Sequence, residues 1–117
     1  MDDDDVPSGW TIEACRSYTQ ANSDRELQYR TYRHESDDLR VKVAPASLDG
    51  ADHPGYALTA TSYPGLDCSE TIRIRTVLTF DRCDRIAARF MQLFSASYDG
   101  TLEEALEYTY QRTRDHR

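Results

Sequence analysis

Long apolar runs are missing from this chain of 117 residues. No stretch of about 18 consecutive apolar residues occurs, which excludes a membrane-spanning helix on sequence grounds. Glycine is scarce, with five residues, and proline is scarcer, with four. A Gly-rich phosphate-cradling loop is therefore hard to build, and no Gly-x-Ser-x-Gly elbow or His-Glu-x-x-His pair is present. Three cysteines, Cys15, Cys68 and Cys83, lie far apart. An odd, scattered set does not make a disulfide framework. Structural zinc sites place ligand pairs two to four residues apart, and neither the cysteines nor His34, His53 and His116 do so. The reading is no metal and no cofactor. Cys15 and Cys83 fall in periodic segments, where a thiol behaves as a small buried hydrophobe.

Lysine is nearly absent: Lys42 is the only one, and 13 of the 14 basic residues are arginine. Acids number 21, for a formal net charge of −7. This lysine-poor, aspartate-rich composition resembles that of halophilic proteins, whose acidic surfaces stay hydrated in concentrated salt. Four of the acids form the run Asp2–Asp5, where like charges repel and favour a solvated tail. An acidic start is the opposite of a secretory signal. The expectation is a cytoplasmic protein with an acidic disordered tail over 1–9 and a single domain over 10–117.

Along that domain the apolar period is two, then 3.6. Trp10, Ile12 and Ala14 alternate with polar residues, as do Leu27, Tyr29 and Thr31, and then Leu39, Val41 and Val43. These are strand signatures. Pro45 is expected to end the third strand by removing a ladder donor, and 45–55 to form a loop. Tyr56–Tyr63 and Thr71–Phe80 supply two further strands. In the last of these, Ile72, Ile74 and Leu78 are expected inward and Arg73 and Arg75 outward. Asp81 then suits a helix N-cap, and Cys83, Ile86, Ala87, Phe90, Leu93 and Phe94 fall on one helical arc. Asp81 and Asp84 lie within pairing distance of Arg85 or Arg89 along that helix. Thr101-Leu102-Glu103-Glu104 opens a second helix with a capping box; its inner face would be Leu102, Ala105, Leu106, Thr109 and Tyr110. The fold class predicted is α+β: a meander-like antiparallel sheet of four to five strands, with two C-terminal helices packed on one face.

Such a sheet leaves one face uncovered. With Leu27, Leu39, Val41 and Val43 inward, alternation sends Arg30, Tyr32, His34, Arg40, Lys42, Arg73 and Arg75 outward. An acidic protein would thus carry a basic, partly aromatic face, a candidate site for an anion or single-stranded nucleic acid. Tyr108, off the inner arc of the second helix, and Arg112, four residues further on, are candidate interface residues. Adjacent His34-Glu35 and Asp52-His53 are the only hints of acid–base catalysis, and neighbours in sequence point different ways. The functional expectation is a small non-enzymatic protein whose partner is another protein or its own copy. Nucleic-acid association through the basic face is the alternative, and a histidine-based enzyme the third reading.

Overall fold

The computed structural model describes residues 6–19, 26–48, 53–63, 69–98 and 102–115. Five strands follow one another as β1 (Trp10–Thr19), β2 (Glu26–His34), β3 (Leu39–Leu48), β4 (His53–Ser62) and β5 (Glu70–Val77). They pair antiparallel in sequence order, a five-stranded meander. Two helices close the chain, α1 (Phe80–Ser97) and α2 (Leu102–Asp115). Helix α1 lies over β3, β4 and β5, while α2 packs against α1 and β5. The predicted α+β architecture is therefore the observed one.

Its core lies between the sheet and α1. Leu39, Val41 and Val43 of β3, Leu58 of β4, and Phe90, Met91 and Phe94 of α1 are fully or almost fully buried. The apolar arc of α1 is rotated from expectation: Asp84 and Met91 are buried with it, and Leu93 only partly. Arg82, Arg85 and Arg89 stay exposed. On α2, Leu102, Ala105 and Thr109 are buried, with Leu106 and Tyr110 packed partly against the core. Residues 6–9 of the expected tail are tied to the fold: Val6 packs against the core, and the Trp10 N–H donates to the Pro7 carbonyl at 3.2 Å. Asp2–Asp5, the Thr101 cap and Cys68 lie outside the described residues.

Several local expectations fail for identifiable reasons. Pro45 does not end β3, which pairs with β4 through Leu48↔His53, so most of the expected 45–55 loop is strand. The β2–β3 pairing runs from Arg33↔Arg40 to Arg30↔Val43. Pro45 thus sits where β3 has β4 on one side only, and its missing N–H faces no ladder. Tyr56, opposite Pro45, reaches across the gap, its hydroxyl accepting from the Gln28 N–H at 3.3 Å. The α1 N-cap is Thr79, not Asp81: its backbone is extended and its hydroxyl accepts the Arg82 N–H at 3.2 Å.

Strand parity shifts at two β-bulges, one in each edge strand. In β1 the extra residue is Glu13, which moves Ala14 off the Trp10/Ile12 face to oppose Thr31. In β5 the extra residue is Ile74, after which Arg75 opposes Leu58 and Val77 opposes Tyr56. Ile72 and Ile74 keep their expected inward place, but Val77 is buried where Leu78 was expected, and Leu78 is 66% exposed.

Candidate functional site

β2 presents the opposite parity from the one its sequence suggested. Arg30 opposes Val43 and Tyr32 opposes Val41, while His34 opposes Trp10, so all three residues lie on the helix-covered side and are buried. The even-numbered side chains of β2 pair with the apolar side of β3, and that register decides the matter.

There Arg30 meets α1. Its Nη1 donates to Asp84 Oδ2 at 3.2 Å and to Tyr32 Oη at 3.3 Å, and the Tyr32 hydroxyl donates to Asp84 Oδ1 at 2.5 Å. The guanidinium also lies 5.6 Å from the centroid of Phe80. Burial, then the adjacent Asp84 carboxylate, pushes the Tyr32 hydroxyl well above the ordinary tyrosine value. Cys83, buried next to Asp84, is pushed up to about 12, chiefly by burial. This cluster is a closed ion pair with a neutral tyrosine and an inert thiol. It couples β2 to α1, and it engages both Asp84 oxygens with β2 where pairing along the helix was expected.

His34 sits among rings. Trp10, Phe94 and Tyr98 stand edge-on to it at centroid distances of 4.9, 5.1 and 5.1 Å. Its Nδ1 accepts the Ser36 N–H at 3.2 Å, which assigns the ring proton to Nε2, and the Ser36 hydroxyl lies 2.8 Å from the same nitrogen. Burial lowers its pKa, against the opposing pull of Glu35 and Asp38. Trp10 is held in turn by donating Nε1–H to Ser95 Oγ at 2.9 Å. His34 is a core ring at the β2–β3 turn, not an outward one. The side chain of His53 lies outside the described residues.

The other face of the sheet carries no helix among the described residues. The registers arrange its side chains in rows across the strands. One row runs Thr11, Arg33, Arg40, Thr61, Thr71; the next runs Ala14, Thr31, Lys42, Thr59, Arg73. Arg16 and Tyr29 stand opposite each other further along. Of the seven residues expected here, Arg40, Lys42 and Arg73 are present. Arg30, Tyr32 and His34 are buried on the other side, and Arg75, half-buried opposite Leu58, has crossed over with the bulge. Arg16, Arg33 and Tyr29 take their places.

The face is still basic, and one acid organises it. Glu13, projected by its bulge, forms ion pairs with both arginines: Oε2 lies 2.8 Å from Arg33 Nε and Oε1 lies 2.7 Å from Arg40 Nε. Arg40 Nη2 adds a longer contact of 3.4 Å, and Arg33 Nη1 also reaches Asp37 at 3.6 Å. Lys42 Nζ lies 5.8 Å from the centroid of Tyr29, and Thr61 and Thr71 share a hydroxyl hydrogen bond of 2.8 Å. No signal in the sequence announced the Glu13 bulge; the odd-numbered Arg33 could have been found from β2's even spread of polar residues over both sides.

Cys15, expected as a core thiol, is exposed. Tyr108 is exposed, with the Arg112 guanidinium 4.8 Å over its ring. Tyr108 borders a cleft of about 240 Å³ with Ser97, Glu104 and Ala105, and a second cleft of about 400 Å³ lies along Val6, Trp10, Thr11 and Ile12. Neither holds a cluster of titratable side chains among these lining residues. Among the described residues no group of three His, Cys, Asp or Glu side chains is placed to hold a metal ion, and no helix is long and apolar enough to cross a membrane. No family model matches this chain, and comparison with curated proteins and with solved structures finds no match either.

Proposed function

We propose that this chain is a non-enzymatic protein-binding module that takes an acidic segment of a partner protein on its uncovered sheet face. The observation that carries the reading is the grouping of Arg16, Arg33, Arg40, Lys42 and Arg73 on one face of a chain whose net charge is −7. Guanidinium groups grip carboxylates in short, oriented contacts. Threonines at Thr11, Thr59, Thr61 and Thr71 add hydroxyl donors between them. A halophilic setting, as the composition suggests, fits contacts of this kind. Concentrated salt screens charge beyond roughly 3 Å, which leaves contact pairs as the effective ones. The exposed free thiol of Cys15 suits a reducing, cytoplasmic location.

The face suits a protein partner better than the alternatives. Tyr29, half-buried beside Lys42, is the one ring on it whose side chain is described, whereas single-stranded nucleic acid takes several stacking rings. A second copy docked face to face would set cation against cation. The bulges in β1 and β5 break the straight edges along which two sheets would join. Against catalysis by His34, that ring is buried among Trp10, Phe94 and Tyr98.

Fluorescence anisotropy with a labelled hexa-glutamate peptide and a labelled oligo-dT tests the reading. Wild-type protein is expected to bind the peptide, more weakly as KCl rises, and to lose it in Lys42→Glu/Arg73→Glu. Retention of oligo-dT alone would transfer the face to nucleic acid.

A further inference from the structure

The Glu13 carboxylate occupies the centre of the cationic row, and it does so because the bulge aims it there. We infer that Glu13 is an internal stand-in for the partner's carboxylate, so that binding is an exchange of one carboxylate for another between Arg33 and Arg40. The inference rests on the proposed acidic-partner function and names its regulation.

Three features of the structure support it. Glu13 bridges the two guanidinium groups, with Oε2 2.8 Å from Arg33 Nε, Oε1 2.7 Å from Arg40 Nε and Oε2 accepting from Arg40 Nη2 at 3.4 Å, so the pair of arginines already holds one carboxylate between them. The cradle is reachable: the side chains of Glu13, Arg33 and Arg40 retain 33%, 29% and 34% of their exposure. Glu13 also belongs to a bulge in an edge strand, bound to a neighbour on one side only. An extra bulge residue is outside the regular ladder, so its side chain swings away without unzipping the sheet. Arg33 and Arg40, by contrast, sit in the paired β2–β3 register and keep their spacing when Glu13 leaves. Asp37 follows Arg33 at 3.6 Å and is 73% exposed, too loosely held to replace Glu13.

The exchange predicts that the wild-type protein binds acidic segments below its capacity, because each must displace Glu13. Removing the Glu13 charge frees two cations at once. Partly exposed ion pairs are weak individually, so Glu13→Gln is expected to tighten hexa-glutamate binding about threefold to tenfold. Glu13→Thr, matching the threonines of the same face, is expected to do the same and stands in if the glutamine variant does not fold. Adding Arg40→Gln to either variant is expected to return affinity to the wild-type level or below. Titrations are run at a KCl concentration where Trp10 fluorescence reports the folded state. Equal or weaker binding by both Glu13 variants, with the wild type binding, overturns the exchange and leaves the acidic-partner function standing. Absence of binding by wild type and variants alike overturns both. Binding by the Glu13 variants alone supports a latch that is fully closed.

Discussion

Replacing Asp84 by asparagine is expected to be among the most damaging isosteric changes in this protein. Asp84 accepts from Arg30 at 3.2 Å and from Tyr32 at 2.5 Å, and the side chains of Arg30 and Asp84 are only 8% and 11% exposed. Asparagine fills the same space but takes the Asp84 counter-charge away from the buried Arg30 guanidinium. Breaking a buried pair from one side costs about 3–5 kcal/mol, and about 3 kcal/mol is expected here because the asparagine oxygen still accepts one bond. That is a large part of the roughly 5–15 kcal/mol that holds a domain folded. The assay is urea unfolding followed by Trp10, the only tryptophan, which is 6% exposed and reports the sheet–helix contact. The partner experiment removes every charge and hydroxyl of the cluster together, as Arg30→Met/Tyr32→Phe/Asp84→Leu. Apolar replacement of a complete buried pair is often neutral or stabilising, so the triple variant is expected within about 1 kcal/mol of wild type. A cost below about 1 kcal/mol for Asp84→Asn would refute the account of this cluster as a closed ion pair.

Stability is expected to fall on acidification through His34. Burial lowers its pKa, so below about 6.5 the unfolded chain takes up a proton that the folded chain refuses, and up to about 1.4 kcal/mol is lost per pH unit until the folded ring titrates. Urea unfolding at pH 8, 6 and 5 measures this, and His34→Phe is expected to flatten the dependence over that interval. The β5 bulge is checked by two substitutions: Val77→Ala is expected to cost about 2 kcal/mol as a buried truncation, and Leu78→Ser less than about 0.5 kcal/mol as a surface change. The reverse order would return β5 to unbroken alternation. At the start of α1, Thr79→Ala is expected to cost about 1 kcal/mol and Asp81→Ala only a few tenths from the helix dipole, compared by thermal unfolding.

Period and position made the architecture legible. Leu39, Val41 and Val43 alternate without ambiguity, and all three are fully buried; the arc from Ile86 to Phe94 has enough large apolar side chains to fix which side of α1 is inward. β2 has no such asymmetry. Its odd positions offer Leu27, Tyr29 and Thr31, its even positions Arg30, Tyr32 and His34, and a tyrosine stands on each side. Local alternation cannot rank those sides, because what buries Arg30 is Asp84, which is 54 residues away in sequence. A buried arginine is inward only when its counter-charge is, and that pairing is a property of the packed sheet and helix. Pro45 misled for a similar reason. Its effect on a strand depends on whether a neighbour needs the missing N–H, and β2 has already parted from β3 at that point.

The candidate face was half legible, and the missing half follows from the bulges. Arg40, Lys42 and Arg73 were placed by alternation in segments that run straight. Arg75 was lost one residue beyond Ile74, and Glu13 was gained at the opposite edge, because an inserted residue reverses the side of everything after it while leaving composition and mean period almost unchanged. Both reversals fall in edge strands, where only one neighbour constrains the register. They also act in the same direction on charge: the β5 bulge withdraws a cation from the open face, and the β1 bulge delivers an anion into it. Each lowers the positive charge of that face, yet Arg16, Arg33, Arg40, Lys42 and Arg73 remain against Glu13. In the proposed exchange, it is this residual charge that draws a partner's carboxylate to the cations Glu13 now holds.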